Sequence, residues 1–172
     1  MKKINKRSAG YKTKSELKKE RKELKRKLKM EKRFLIGIYD DYRKDGCLNS
    51  MLNKINCKLI GSYSTEPIYT MYNIEKDDCC VIETNGITSI KMEVWEVDEP
   101  NLDKIERSYS YYPDFEEYPQ DYKKETILSP FGKIIIYFTN IKQLQENIIT
   151  NGDWIEHLNY KKAIGNKKEN VL

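Results

Sequence analysis

The sequence predicts an α+β fold: a small mixed β-barrel or strongly curved sheet with a few flanking helices, plus a basic N-terminal helix. Three observations carry this. Short apolar and aromatic runs recur at 34–39, 57–63, 68–74, 79–84, 87–97 and 125–139, and many short strands with few helices favour a barrel or curled sheet. Helical spacing of apolar residues is confined to brief stretches around those runs. Charge is also partitioned: residues 1–33 hold 16 Lys+Arg and 4 Asp+Glu, whereas the remainder holds 16 basic and 23 acidic residues. The formal net charge of +5 therefore describes a basic tail on an acidic domain.

Residues 1–11 are predicted disordered. From Ser15 to Arg33 the Glu/Lys/Arg/Leu composition favours helix, with Ser15 as its N-cap. Its apolar positions are Leu17, Leu24, Leu28 and Met30, a stripe too thin for a core helix. After the strand at 34–39 and a polar loop, Leu48, Met51, Leu52 and Ile55 have helical spacing. Asn85-Gly86 between two strand-like runs predicts a two-residue hairpin. Pro100-Asn101-Leu102 opens a short helix that carries Ile105 and Glu106. Residues 108–122, rich in tyrosine, are predicted to be a long ordered loop. Leu144 to Tyr160 is predicted helical, interrupted at Asn151-Gly152. The expected organisation is an extension at 1–33, partly helical or disordered, a domain at 34–160 and a flexible tail at 161–172.

A chain of 172 residues fits one domain plus extensions, and 34% charged residues make it polar for a globular protein. Cys47, Cys57, Cys79 and Cys80 form no Cys-x-x-Cys pair, and His157 is the only histidine, so a metal site is not expected. Without a secretory apolar segment or a long apolar run, the expected setting is cytoplasmic with reduced thiols. Abundant Lys, Ile, Asn and Tyr suggest an AT-rich coding genome, bacterial or viral.

Two segments about sixty residues apart carry the chemistry. Tyr39-Asp40-Asp41-Tyr42-Arg43-Lys44-Asp45-Gly46 leaves the buried run Phe34-Leu35-Ile36-Gly37-Ile38. Leu102-Asp103-Lys104-Ile105-Glu106 follows the alternating run Glu93-Val94-Trp95-Glu96-Val97-Asp98. A polar loop and a carboxylate from a distant helix can converge on one pocket, which is how a general base is presented. Together these segments resemble the γ-glutamylcyclotransferase-like (AIG2-like) family, whose signatures are Tyr-Gly-Ser/Thr-Leu-Arg/Lys-x-Gly and Leu-Asp-x-Leu-Glu-Gly. Tyr39, Arg43 and Gly46 match the first signature, with one extra residue before the glycine, and Asn49 matches an asparagine often found just downstream. Gly61 matches the family's second-strand glycine, and Leu102, Asp103, Ile105 and Glu106 match the second signature. Tyr122-Lys123-Lys124 is similar to the family's Tyr-x-Arg, with lysine for arginine. Ile135-Ile136-Tyr137 and Gly152-Asp153-Trp154 resemble its closing strand and a late motif. The resemblance spans Phe34 to Leu158.

The resemblance implies a cofactor-free intramolecular reaction: the α-amine of a γ-glutamyl group attacks its own γ-carbonyl and releases 5-oxoproline and an amine. Glu106 is the implied acid–base residue, with Tyr39, Asp40, Asp41, Tyr42, Arg43, Tyr122 and Tyr137 as the candidate substrate-binding set. The family glycine after the first tyrosine is Asp40 here, followed by Asp41. Carboxylates in a loop whose N–H groups hold substrate oxygens would repel an anionic ligand. Each candidate has a plainer reading. Glu106 can be an ordinary helix glutamate, Arg43 can pair with Asp40, Asp41 or Asp45, and the tyrosines at 109, 111, 112, 118 and 122 can pack over a barrel mouth rather than stack a ligand. Two rival functions stay open: a non-catalytic protein that binds or sequesters a small metabolite, and an adaptor acting through its basic helix, whose charge suits nonspecific nucleic acid or an anionic surface.

Overall fold

The computed structural model describes residues 12–55, 57–74, 79–108, 122–139 and 147–169. Helix α1 (Lys14–Glu31) opens with a capping box: the Thr13 hydroxyl accepts from the Glu16 N–H, and the Glu16 carboxylate accepts from the Thr13 N–H. Thr13, not Ser15, is the N-cap, because Thr13 has a glutamate three residues on. The side chains of 14–28 are all exposed, as the thin apolar stripe predicts. Lys32, just past the helix, faces Glu99 at 3.8 Å.

The remaining elements are β1 (Arg33–Ile38), α2 (Asn49–Lys54), β2 (Lys58–Ser64), β3 (Tyr69–Ile74), β4 (Cys79–Thr84), β5 (Lys91–Asp98), α3 (Glu99–Ser108), β6 (Tyr122–Ser129), β7 (Gly132–Thr139) and α4 (Trp154–Glu169). Five strands form one mixed sheet in the order β2-β5-β1-β7-β6, with β1 parallel to β7 and the other pairs antiparallel. β3 and β4 form a separate antiparallel pair. The sheet is strongly curved. Its edges are β2 and β6, yet the Tyr63 hydroxyl of β2 reaches toward Leu128 O of β6 at 3.5 Å, and the Phe131 ring lies against Gly61.

Strand alternation sorts the apolar side chains into two layers. Met92, Val94, Ile134, Ile136 and Phe138 face inward with Met71, Ile82, Ile90 and Trp154. Ile36, Ile38, Trp95, Val97, Ile135 and Tyr137 face the other way, under Leu52 of α2 and Leu102 and Ile105 of α3. Burial on both faces explains why the interior strands β1 and β7 are near-continuous apolar runs, whereas the edge strands β2 and β6 are not.

Four expectations are corrected. Asn85 does take a left-handed conformation (φ 74°), but no hairpin follows. β4 pairs with β3, and β5 inserts between β2 and β1, so long-range pairing overrides the local turn. The run 125–139 is two strands, because Ser129-Pro130-Phe131-Gly132 turns the chain and the Ser129 hydroxyl donates to Gly132 O at 2.9 Å. Ile148 lies in a bridge to Tyr72, and α4 begins only at Trp154. The helix then runs to Glu169, past Tyr160 where the predicted helix ends. The predicted disordered segment 1–11 and residues 109–121 of the tyrosine-rich loop lie outside the described residues.

Candidate active site

The start of α3 is fixed by its neighbours. Asp98 Oδ1 accepts from the Asn101 N–H at 2.9 Å, and Asn101 Nδ2 donates to Ile55 O at 2.5 Å. β5 runs antiparallel to β1, with Glu93 opposite Ile38 and Asp98 opposite Arg33. α3 therefore starts at the end of the sheet away from the 39–46 loop. Its Leu102 and Ile105 bury against the outer layer, and a rise of about 10 Å separates Glu99 from Glu106.

Glu106 is only 6% exposed. Its Oε1 accepts from the Tyr137 hydroxyl at 2.9 Å and pairs with Lys124 Nζ. Lys124 and Tyr137 are directly opposed across β6 and β7, so one register places both on the same carboxylate oxygen. The Tyr39 hydroxyl donates to Tyr137 O at 2.8 Å, which joins the first loop to the same strand. Tyr39, Tyr137, Glu106 and Lys124 thus form one connected chain. The Lys124 side chain is 31% exposed against 7% for Glu106, so the cation is the more open end. Tyr122, opposite Thr139, is half-buried at the edge of the outer layer.

The first loop is closed on itself. Arg43 N–H donates to Asp40 O at 3.0 Å, Gly46 N–H to Arg43 O at 2.8 Å and Leu48 N–H to Asp41 O at 3.0 Å. Gly46 is required because a Cβ there would lie 2.1 Å from Asp41 O. Asn49 Nδ2 donates to Tyr42 O at 3.0 Å, giving that asparagine a structural role. Asp40 Oδ1 accepts from the Tyr42 N–H at 3.1 Å, and Glu93 Oε2 accepts from the Lys44 N–H at 2.9 Å. The N–H groups of Tyr42, Arg43 and Lys44 are therefore committed within the protein. Asp40 and Asp41 are themselves buried.

Arg43 points to an unexpected partner. Its Nη1 lies 2.6 Å from Asp153 Oδ1, and Lys91 Nζ lies 2.8 Å from Asp153 Oδ2. Asp153 also receives the Glu156 N–H at 3.4 Å, capping α4. Gly152 just before it has φ 63° and stands where a Cβ would be 2.0 Å from Ser89 O, while Trp154 just after it is fully buried. Gly152-Asp153-Trp154 is thus a structural motif that anchors the first loop. Burial works to raise the Asp153 carboxyl, but hydrogen bonds from Lys91 and Arg43 outweigh it and hold the group below its ordinary value.

Burial pushes the Tyr39 phenol far above its ordinary value and the Tyr42 phenol up as well, so both stay neutral at pH 7. Tyr42 is hydrogen-bonded to Ser108 on α3. It also lines an apolar cavity of about 250 Å³ with Met51, Leu52, Ile55, Lys104 and Ile105. Burial likewise raises Cys47, and raises Cys57 to about 11, which argues against either as a thiolate nucleophile. Among the described residues no cluster of three or more His, Cys, Asp or Glu side chains is arranged to hold a metal ion, and no helix is long and apolar enough to cross a membrane. Lys124 is the residue missing from the candidate set. Its signal was the lysine in Tyr122-Lys123-Lys124, where the resembled motif has arginine.

No family model matches the chain. A Vibrio cholerae protein described as "Putative gamma-glutamylcyclotransferase" is 29% identical over 124 residues, covering 72% of this chain and 97% of that protein. An uncharacterized protein from Pyrococcus horikoshii superposes with a TM-score of 0.58 at 23% identity, over 75% of this chain and 97% of that one. An aig2-like protein from Mus musculus gives a TM-score of 0.53 at 14% identity, over 70% and 87%.

Proposed function

We propose, from a chain that is γ-glutamylcyclotransferase-like in sequence and fold, that it cleaves a γ-glutamyl amide or amine by cyclisation to 5-oxoproline, with Glu106 as the acid–base residue. One observation carries the reading: a buried carboxylate held from one side by the Tyr137 hydroxyl and the Lys124 ammonium. In the reaction the bond from the α-nitrogen to the γ-carbon forms, and the bond from that carbon to the leaving nitrogen breaks. The α-nitrogen, attacking as the free amine, must lose one proton to become the lactam N–H, and the leaving nitrogen must gain one to depart as an amine, so a single carboxylate serves both steps. Tyr137 and Lys124 fix its orientation, and Lys124, the more open group, is suited to meet a substrate carboxylate.

The closed first loop favours a second reading. Since the N–H groups of Tyr42, Arg43 and Lys44 already have acceptors, they hold no substrate oxygen without rearrangement. A protein that binds a small metabolite through other groups of the site, without turning it over, would leave these donors engaged.

The test is 5-oxoproline release from a panel of γ-glutamyl amines and amides by the full chain and by Glu106→Gln. Turnover that falls by about 10²-fold or more in the variant supports the enzyme. Saturable binding of the same compounds without release, seen by calorimetry, supports the second reading.

A further inference from the structure

We propose that helix α1 is a binding site for the backbone of double-stranded DNA. The helix sorts its side chains by type. At 100° per residue, Glu16, Glu20 and Glu23 fall within about 60° of one another, and Leu17, Leu24 and Leu28 occupy an adjacent strip about 40° wide. Beyond the leucines, Lys14, Lys18, Arg21, Lys22 and Lys25 share an arc of about 100° that contains no acid. Lys27 is the one cation among the acids. All five ridge cations are exposed, and among the described residues none forms an ion pair; Lys12 and Lys32, outside the ridge, take Glu20 and Glu99.

Charge sorting of this kind is not needed for solubility. Interleaved Glu and Lys at four-residue spacing would stabilise the helix better, through pairs along its surface. The acid-free ridge instead presents five cations over about 16 Å, a geometry suited to a row of phosphates. Duplex DNA fits better than a single strand, because α1 has no aromatic side chain for base stacking. It fits better than duplex RNA, because an α-helix enters the major groove of DNA but not that of RNA. A membrane surface fits poorly: the leucine strip is flanked by cations on one side only and by glutamates on the other. Net acidic charge in residues 34–172 confines the contact to the basic N-terminal extension that carries the helix.

The experiment measures binding of the full chain to a fluorescent 24-base-pair DNA duplex by anisotropy, across a range of salt. Five phosphate contacts predict a log–log salt slope of about −4.5, or roughly 500-fold weaker binding at 200 mM than at 50 mM salt. Replacing Lys18, Lys22 and Lys25 together by Gln, a good helix former, should reduce the slope to about −1.8, with helix content unchanged by circular dichroism. Replacing Leu17, Leu24 and Leu28 by Gln should leave binding intact. The proposal is overturned by absence of duplex binding at 50 mM salt or by an unchanged slope in the triple Lys→Gln protein. It is equally overturned by tighter binding to a single strand, to duplex RNA or to vesicles containing 30% phosphatidylserine.

Discussion

Arg43 Nη1 and Asp153 Oδ1 lie 2.6 Å apart in a buried ion pair that ties the first loop to the start of α4, 110 residues later in the chain. Breaking a buried pair leaves its other member desolvated without compensation, at a cost of about 3–5 kcal/mol. The two halves of this pair are unequal. Asp153 keeps Lys91 if Arg43 is removed, whereas Arg43 has no second carboxylate among its described partners. Asp153→Ala should therefore lower stability by about 3–5 kcal/mol, and Arg43→Ala by less, about 1–3 kcal/mol. Urea denaturation of both variants checks the order. Equal losses would mean that Lys91 contributes nothing.

The same pair sets a pH response. Asp153 titrates below its ordinary value when folded, so its stabilisation is complete above the unfolded carboxylate pKa of about 3.9 and is lost as pH falls through the lower folded value. The stability difference between the wild-type chain and Asp153→Asn should be flat from pH 8 to pH 5 and shrink below about pH 4. A difference that instead grows on acidification would show that the carboxyl is not held ionised.

Lys124 and Tyr137 reach one oxygen of Glu106, but they contribute different things. Lys124→Arg keeps a cation and should retain most of the activity, while Lys124→Gln leaves a buried carboxylate without its cation and should cost about tenfold or more in kcat/KM. Tyr137→Phe removes a hydrogen bond to a charged acceptor, worth about 1.5–3 kcal/mol, and leaves the aromatic packing in place. Steady-state kinetics on one γ-glutamyl amine separates the three. An unaffected Lys124→Gln protein would remove Lys124 from the site.

What the sequence reveals and what it conceals follows from the range of the forces involved. Strands such as β3 and β4 are legible because β-branched and aromatic runs bounded by polar residues are local signals. The turn at Asn85 is equally local and does form, but pairing across the sheet is not, so β4 turns away from β5. Glu106 and Tyr137 were singled out by short motifs, and the fold brings their side chains together. The partner of Arg43 was not legible: three acids lie within three residues of it, yet Asp40 caps its own loop and the partner is supplied by Asp153 from the far end of the domain. Nothing in the spacing of the two segments encodes that contact.

Helix α1 should be separable from the domain. Its described apolar residues Leu17, Leu24 and Leu28 are 47%, 59% and 57% exposed, so the helix contributes little burial. A chain lacking residues 1–31 retains β1 from Arg33 and should show a thermal midpoint within about 3 °C of the full chain, a change of roughly 1 kcal/mol. Scanning calorimetry decides it. A larger fall would make α1 part of the cooperative unit.

Substrate choice should reflect Asp40. Its Oδ1 occupies the Tyr42 N–H at 3.1 Å, where the family signature has a glycine without any side chain, and Asp41 adds a second buried carboxylate in the same loop. An anionic ligand brought to this loop meets a committed donor and two like charges, which Arg43 does not fully offset because it is engaged by Asp153. Glutathione, with a carboxylate at each end, should therefore be a poor substrate beside a γ-glutamyl amine, whose leaving group carries none. Asp40→Gly removes one charge and frees one N–H, and it should raise glutathione turnover by about tenfold, equivalent to 1.4 kcal/mol. Parallel turnover measurements on the two compounds, in wild-type and variant chains, test the point. Efficient glutathione cleavage by the wild-type chain, unimproved by Asp40→Gly, would show that the loop carboxylates lie outside the path of the substrate.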